Sequence, residues 1–514
     1  MLFHPRSDLL WDTWLVEHEG LFYLFCIRLP ADGPPGNPEL TLGAGWDAIS
    51  LATSPDLLHW TEQGTVLEKD AEALWLGTGM IHRAAGTFVM NFSEERPRGR
   101  QVISFATSPD LRHWTRLPRD YDLRPDGAIY AADAAASANP LPRWDSIGVI
   151  GPAEPGDPYL GLVCADLNDP PLPGQCGVLG LVTSTDGLRW SHLPPASGPG
   201  LFPSFEVPEH VAIGGRHYVL FSTNTTAGAR FVPGDPAPQG GTYYVVADDA
   251  RGPYSPPPVH PLLHGHRLAG REFGAYVGRP LRTSGGELLF YHHWSAGGPD
   301  GWWGPPKLLT ERRPYVLGLH YWPGCEGLKK PGSQATLTAS ALEPLRPAGR
   351  LPVITWAVSD DSLSATDGGG THGARWRDNR SSPEGSGRIV ETGLRIDSGR
   401  GLGLWVGYRD SPSVFAALFN SQTRQLELGS AAWIKDGASL NLHVEMTADV
   451  PVTAGVTHRV RLLARHRFAE LYLDDQLAAS FACREDLDVT HTGFLADRAS
   501  GEFTAPRRWV LDAG

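Results

Sequence analysis

Nine residues of this chain recur three times. Ala52-Thr53-Ser54-Pro55-Asp56-Leu57-Leu58-His59-Trp60 returns nearly letter for letter as Ala106-Thr107-Ser108-Pro109-Asp110-Leu111-Arg112-His113-Trp114, and in looser form as Val182-Thr183-Ser184-Thr185-Asp186-Gly187-Leu188-Arg189-Trp190. Self-similarity at intervals of about 50–75 residues marks a repeat architecture, in which each unit buries its apolar face against the next. Each copy follows a strand-like run. Ser-Pro-Asp then sets a tight turn, and the Trp supplies a large apolar anchor. A strand, a turn and a buried Trp is how a propeller blade ends. Asp56, Asp110 and Asp186 are accordingly expected to be turn residues.

Five hairpins of one kind accompany the phrase, each a strand, a short turn and an apolar second strand. They begin at Trp14-Leu15-Val16, Gly79-Met80-Ile81, Ile147-Gly148-Val149, Glu209-His210-Val211 and Arg279-Pro280-Leu281. Gly20, Gly86, Gly214-Gly215 and Gly285-Gly286 mark four of the turns. Propellers of four to eight blades remove exposed sheet edges by radial closure, so residues 1–335 are expected to form a five-bladed β-propeller. Residues 336–350 are expected to be a linker, with a short helix over Thr338–Leu345, a stretch that carries Ala and Leu. From 351 to 514 the texture changes to period-two alternation, as in Gly403-Leu404-Trp405-Val406-Gly407-Tyr408 and Arg459-Val460-Arg461-Leu462-Leu463-Ala464. Such alternation with frequent turns predicts a β-sandwich. The stretch from Gly368 to Arg388 reads as a loop. The class is all-β, and the 60 glycines and 45 prolines spread along the chain fit many short strands.

A net charge of −13 argues against nucleic-acid binding, which needs clustered Lys and Arg. Cys26, Cys164, Cys176, Cys325 and Cys483 are scattered, odd in number and without CxxC spacing, implying neither a disulfide framework nor a zinc site. No run of about 18 apolar residues predicts a membrane span. The N-terminus lacks a basic region followed by an apolar one, so a cytoplasmic location is expected. No metal or other cofactor is expected, no nucleic-acid or membrane partner is expected, and the oligomeric state is left open.

In a funnel-shaped propeller, function sits where the innermost strands converge. Three acids stand at the start of such strands: Asp12 between Trp11 and Trp14, Asp145 after Trp144, and Glu206 after Phe205. A carboxylate among aromatics is costly unless hydrogen-bonded or raised in pKa, and catalytic acids use both conditions. Aromatic faces beside them suit the C–H faces of sugars. Two carboxyls about 5–5.5 Å apart would make a retaining glycosidase. Further candidates for contact with a sugar are Trp11, Trp14, Trp46, Trp75, Thr78, Trp144, Arg271, Tyr276 and His293. Asp47 either binds a hydroxyl or caps a turn. Glu209, leading its strand beside His210, is the alternative to Glu206 as acid.

These segments resemble glycoside hydrolase family 32 and its clan relatives. Phe205-Glu206-Val207-Pro208-Glu209 with the hairpin after it resembles that family's Glu-Cys-Pro-Asp acid/base segment. Trp11-Asp12-Thr13-Trp14 is similar to the Trp-Asp-Ser-Trp nucleophile motif of the sister levansucrase family 68, and Asp145 falls where Arg-Asp-Pro supplies the transition-state stabiliser. Leu74-Trp75-Leu76-Gly77-Thr78-Gly79 resembles the pocket-lining Ser-Gly-Ser stretch. Val460 to Tyr472 resembles a segment of the family's sandwich domain. The chain departs from the pattern in lacking Asn-Asp-Pro-Asn-Gly around the nucleophile, in having Trp144 before Asp145 with Arg143 one place off, and in having Val207 for Cys.

The resemblance implies a retaining hydrolase of β-fructofuranosides or a related furanoside, with Asp12 as nucleophile, Glu206 as acid/base and Asp145 as stabiliser. The alternatives are a fructosyltransferase, which differs in whether a sugar outcompetes water, and a non-catalytic carbohydrate-binding propeller.

Overall fold

The computed structural model describes residues 3–511 except 7, 31–45, 98–99, 133–141, 172–174, 224–239, 260, 269–270, 296–300, 346–353, 378–386, 410, 434–439 and 484. It is almost wholly β, its only helical pieces among the described residues being short 3-10 turns. The chain divides into two compact units, one formed by residues 2–265 and 271–319, the other chiefly by 320–514.

In the first unit, antiparallel hairpins stand where the glycine-marked turns predict them. His18 pairs with Leu21, Ala84 with Thr87 and Ile213 with Arg216, leaving two-residue turns at Glu19-Gly20, Ala85-Gly86 and Gly214-Gly215. All six turn residues have positive φ, as a type I′ turn requires to match strand twist. Each hairpin extends into a strand group. The first comprises Asp8–His18, Leu21–Pro30, Ala48–Ser54 and Thr61–Glu68. The second comprises Trp75–Ala84, Thr87–Arg96, Arg100–Ser108 and Thr115–Arg116, and the third Trp144–Ile150, Tyr159–Asp166, Gly177–Ser184 and Ser191–Leu193. The fourth comprises Glu206–Ile213, Arg216–Thr223, Gly241–Ala247 and Leu263–His264. The fifth joins Arg271–Arg282 and Leu288–Ser295 to Gly301–Trp303 and Lys307–Arg313.

Neighbouring groups touch in chain order, each contact involving the first strand of at least one of them. Trp14 packs over Gly79, where a Cβ would come within 2.8 Å of the indole. Asn91 exchanges two hydrogen bonds with the Ile147 backbone. A Cβ on Gly148 would strike the Pro208 carbonyl. Val277 N–H donates to Ser222 Oγ, and Gly301 of the fifth group pairs with Leu10 of the first.

The repeated phrase closes the third strand of the first three groups. Asp110 Oδ1 accepts the Arg112 and His113 N–H groups, and its other oxygen lies 2.7 Å from His113 Nδ1. The His113 imidazole holds the Asp110 carboxyl well below the usual range. Asp56 and Asp186 accept the same backbone pairs. The residue after the Asp adopts positive φ in all three copies: Leu57 (65°), Leu111 (64°) and Gly187 (73°). Both leucines are fully buried, so burial offsets a conformation that side chains ordinarily avoid.

The second unit is built on two long strands, Arg388–Tyr408 and Leu487–Val510, paired along most of their length. One half of Arg388–Tyr408 continues into Thr457–Arg465, Phe468–Leu473 and Gln476–Ala482. Its other half continues into Val414–Asn420, Gln425–Trp433 and Leu440–Asp449. Leu394, Phe415, Leu428, Leu462, Phe481, Phe494 and Phe503 share one buried core. The expected helix over Thr338–Leu345 is instead a 3-10 turn at Ala339–Ala341 followed by the strand Leu342–Pro344, which pairs with Thr371–Trp376. The latter strand also corrects the loop expected from Gly368 to Arg388, in which residues 378–386 lie outside the described set. Both differences follow from strand pairing that overrides local propensity: Thr371–Trp376 adds to the long strand Leu487–Val510, and Leu342–Pro344 adds to Thr371–Trp376. The five cysteines are buried, and none forms a disulfide. Among the described residues no helix is long and apolar enough to cross a membrane.

Candidate active site

The first strand of every group is bulged, and the bulges fall on or beside the candidate residues. The register shifts at Trp11/Thr13, at Leu76/Gly79, opposite Val163/Cys164 where Ser146 is the extra residue, at Glu206/Glu209 and at Tyr276/Arg279. A bulge leaves a residue unpaired, bends the strand and re-aims its side chains. Ser146, Val207 and Val277 sit in three of these bulges with φ of 37°, 55° and 51°. For β-branched Val207 and Val277 this conformation costs of order 1–3 kcal/mol. The chain accepts strain at the places where Asp145, Glu206, Glu209 and Tyr276 are directed.

Asp145 and Glu206 share a cation. Arg143 Nη2 donates to Asp145 Oδ2 at 2.7 Å, while its Nη1 lies 3.0 Å from Glu206 Oε1. Ser93 Oγ donates to the other oxygen of Asp145. Burial raises the Glu206 carboxyl above its ordinary range, against the pull of Arg143. Asp12 faces the same charges. Burial first, then the Glu206 and Asp145 carboxylates, push it up to about 7, opposed by Arg279 and Arg143. Its Oδ1 is buried with no hydrogen-bond partner among the described residues.

A second ion pair adjoins the first. Arg279, 1% exposed, donates through Nη2 to Thr78 Oγ1 at 2.9 Å and places Nη1 3.4 Å from Glu209 Oε2. Burial pushes Glu209 up to about 7 even so. Glu95 is likewise raised to about 7 by burial, within reach of the Arg143 and Asp145 charges. Five carboxylates and two guanidiniums thus meet where first strands of the groups approach one another.

Aromatic rings border these charges. Trp11 stacks on Trp46 at 6.0 Å and on Tyr276 at 5.6 Å, and its ring lies 5.4 Å from His293. Trp75 meets Trp46 edge to face. Burial, followed by the charges of His292 and Arg279, pushes His293 down to about 3. The ring is therefore neutral, and neither nitrogen has a partner among the described residues.

Of the residues expected from the sequence, the structure brings together Asp12, Asp145, Glu206, Glu209, Thr78, Trp11, Trp46, Trp75, Tyr276 and His293. Two tryptophans differ. Trp14 is 1% exposed and stacks on Phe25 within the core between the first and second groups. Trp144 is equally buried, with Nε1 donating to Leu123 O and its ring against Tyr130. Strand alternation turns Trp144 away from Asp145, and the bulge at Trp11/Thr13 breaks the parity that would have put Trp14 beside Asp12. Asp47 faces the half-buried Arg28 at 3.8 Å. Arg271 opens its strand, and its side chain lies outside the described set. Sequence reasoning missed Arg279, Ser93 and Glu95 as site residues. Arg143 was visible only as a displaced arginine.

No protein-family model and no curated protein matches the sequence. Solved structures do. Fructan 1-exohydrolase IIa from Cichorium intybus superposes with a TM-score of 0.65 at 14% identity, covering 100% of this chain and 97% of that one. The chain has the fold of that enzyme. Sucrose-6-phosphate hydrolase from Lactobacillus gasseri matches at 0.65 and 14%, over 99% and 92% of the two chains. Fructofuranosidase from Schwanniomyces occidentalis, solved with fructose, matches at 0.63 and 12%, over 99% and 96%.

Proposed function

We propose that the chain is a divergent member of glycoside hydrolase family 32 that cleaves β-fructofuranosides with retention of configuration. In this reading the first unit is a five-bladed propeller, supported by five strand groups that touch in cyclic order, a first strand taking part in each contact. The second unit is a β-sandwich, supported by one core common to both halves.

The observation that carries the functional reading is the set Asp12, Arg143, Asp145 and Glu206. An unpartnered buried carboxylate oxygen stands beside two acids bridged by one guanidinium. In its ionised form Asp12 attacks the anomeric carbon, forming an ester bond as the bond to the leaving oxygen breaks. Glu206, whose protonated form burial favours, gives its proton to that oxygen. In the second half-reaction the Glu206 carboxylate takes a proton from water, the water oxygen bonds to the anomeric carbon, and the Asp12 carboxylate is released. Asp145, fixed by Ser93 and Arg143, accepts hydrogen bonds from ring hydroxyls as positive charge grows on the sugar. Trp11, Trp46, Trp75 and Tyr276 supply faces for the substrate, and Thr78, Glu209 and His293 supply polar contacts.

The test is incubation with sucrose, inulin, levan and an aryl β-fructofuranoside, following release of fructose. Asp12→Asn abolishes release from all of them. Glu206→Gln abolishes release from the three natural sugars but still forms the covalent intermediate with the aryl substrate, whose leaving group needs no proton. If Glu209→Gln shows that pattern and Glu206→Gln does not, Glu209 is the acid. Full activity of Asp12→Asn overturns the reading.

A further inference from the structure

Glu95 takes no part in the proposed displacement steps, yet the sheet carries it to the same charges. It lies on the second strand of the second group, Thr87–Arg96, whose pairing with the next strand runs without a register shift. Alternation therefore puts Asn91, Ser93 and Glu95 on one face. Asn91 is bonded to the Ile147 backbone, and Ser93 Oγ donates to the Asp145 carboxylate. These contacts step in opposite directions along the two strands, so the next rung sets Glu95 against Arg143, about 6–7 Å beyond Ser93. Trp75 is the cross-strand partner of Glu95, on the same face of the sheet. Its indole folds back over Gly77, where a Cβ would come within 2.8 Å of the ring and would strike Ser93 Oγ. An aromatic face and a carboxyl thus stand one rung beyond Asp145, toward the start of its strand.

Glu95 is 6% exposed. Its carboxyl has no hydrogen-bond or ion-pair partner among the described residues, and the terminal nitrogens of Arg143 go to Asp145 and Glu206. A buried polar group without a partner is costly, and a hydroxyl donor arriving with the substrate satisfies it. We propose that Glu95 is a specificity-determining residue that accepts hydrogen bonds from hydroxyls of the leaving sugar while Trp75 packs against that sugar's C–H face. The inference rests on the reading of Asp12, Asp145 and Glu206 as the catalytic acids. In that reading Asp145 holds the sugar under attack, and a group one rung further along meets what the scissile bond joins to it. Two carboxyl oxygens side by side match neighbouring hydroxyls of a sugar ring. A simple alcohol as leaving group offers neither those hydroxyls nor the ring face. The chain is thereby selective for sugar–sugar linkages over alkyl fructofuranosides.

The experiment compares sucrose with methyl β-fructofuranoside on the full chain at pH 8, above the value of about 7 to which burial pushes Glu95. Glu95→Ala is expected to lower kcat/KM for sucrose about tenfold or more beyond any fall with the methyl fructoside, as loss of a hydrogen bond to a charged group does. Glu95→Gln keeps the shape and one acceptor oxygen and recovers part of that loss. Trp75→Ala shifts the ratio in the same direction. Equal effects of Glu95→Ala on the two substrates overturn the proposal, since damage to the acids or to the fold reaches both. Should Glu95→Ala not fold, an unchanged ratio in Glu95→Gln overturns it instead. Sucrose binding to the Asp12→Asn chain, followed by calorimetry, weakens about tenfold on adding Glu95→Ala, and undiminished binding contradicts the role. Failure of the hydrolase reading shows itself separately, as a wild-type chain that releases fructose from neither substrate; the binding arm then still decides the role of Glu95.

Discussion

Arg143 lies two residues before Asp145 and joins it to Glu206, a residue 61 positions further along the chain that opens a strand of the next group. One guanidinium thus holds two carboxylates in a fixed relation while opposing the upward shift that burial imposes on Glu206. Arg143→Met is expected to reduce kcat/KM about 10²-fold or more, the order seen when a preorganised site loses a charge. Both limbs of the pH profile move upward, since Arg143 favours ionisation of both Asp12 and Glu206. A profile of reduced height but unchanged midpoints shows that Arg143 is only a scaffold.

In the proposed mechanism Asp12 is poised for reaction at the expense of stability. Its pKa is raised from 3.8 to about 7, so the folded state binds the proton more tightly than the unfolded chain. Above the unfolded value the native protein therefore loses stability as pH rises, by about 1.4 kcal/mol per unit, until the group ionises near 7. Asp12→Asn lacks this penalty. Urea denaturation at pH 8 should find the variant more stable by about 2–4 kcal/mol, with the difference disappearing below about pH 4. Equal stability at both pH values contradicts the burial of an unpaired charge.

Much of the scaffold was legible because the sequence repeats itself and because each I′ turn carries its own chemistry. Asp12, Asp145 and Glu206 were found from their place before apolar strands. Arg279 was not, since its partners Thr78 and Glu209 lie 201 and 70 residues away and no local pattern announces them. Trp14 and Trp144 show the opposite failure. Both neighbour an acid in sequence, but strand alternation and a bulge send them into cores between strand groups. Bulge positions are fixed by pairing across the hairpin, and a linear reading of one strand does not contain them.

The two kinds of tryptophan separate in their effects. Trp11→Ala, at the aromatic border beside Tyr276 and His293, should raise KM about tenfold with a small change in unfolding free energy. Trp14→Ala should cost about 3–5 kcal/mol of stability, as loss of a buried aromatic does. Equilibrium unfolding and steady-state kinetics on both variants check the assignment, and a large KM effect of Trp14→Ala on a fully folded protein would reverse it.

Gly187 takes in the third repeat the left-handed position that leucines occupy in the first two. A Cβ there would lie 2.6 Å from that of Ala84. Gly187→Ala should therefore lower stability by about 1–3 kcal/mol through strain and crowding, with KM unchanged. A neutral substitution would show that the turn relaxes freely.

The stereochemistry of transfer probes the double displacement most directly. Sucrose is turned over in the presence of methanol, and the methyl fructofuranoside formed is examined by NMR before it can equilibrate. Two inversions, one at attack by Asp12 and one at its release, give methyl β-fructofuranoside. Methyl α-fructofuranoside as the first-formed product would mean a single inversion and contradict the covalent role of Asp12.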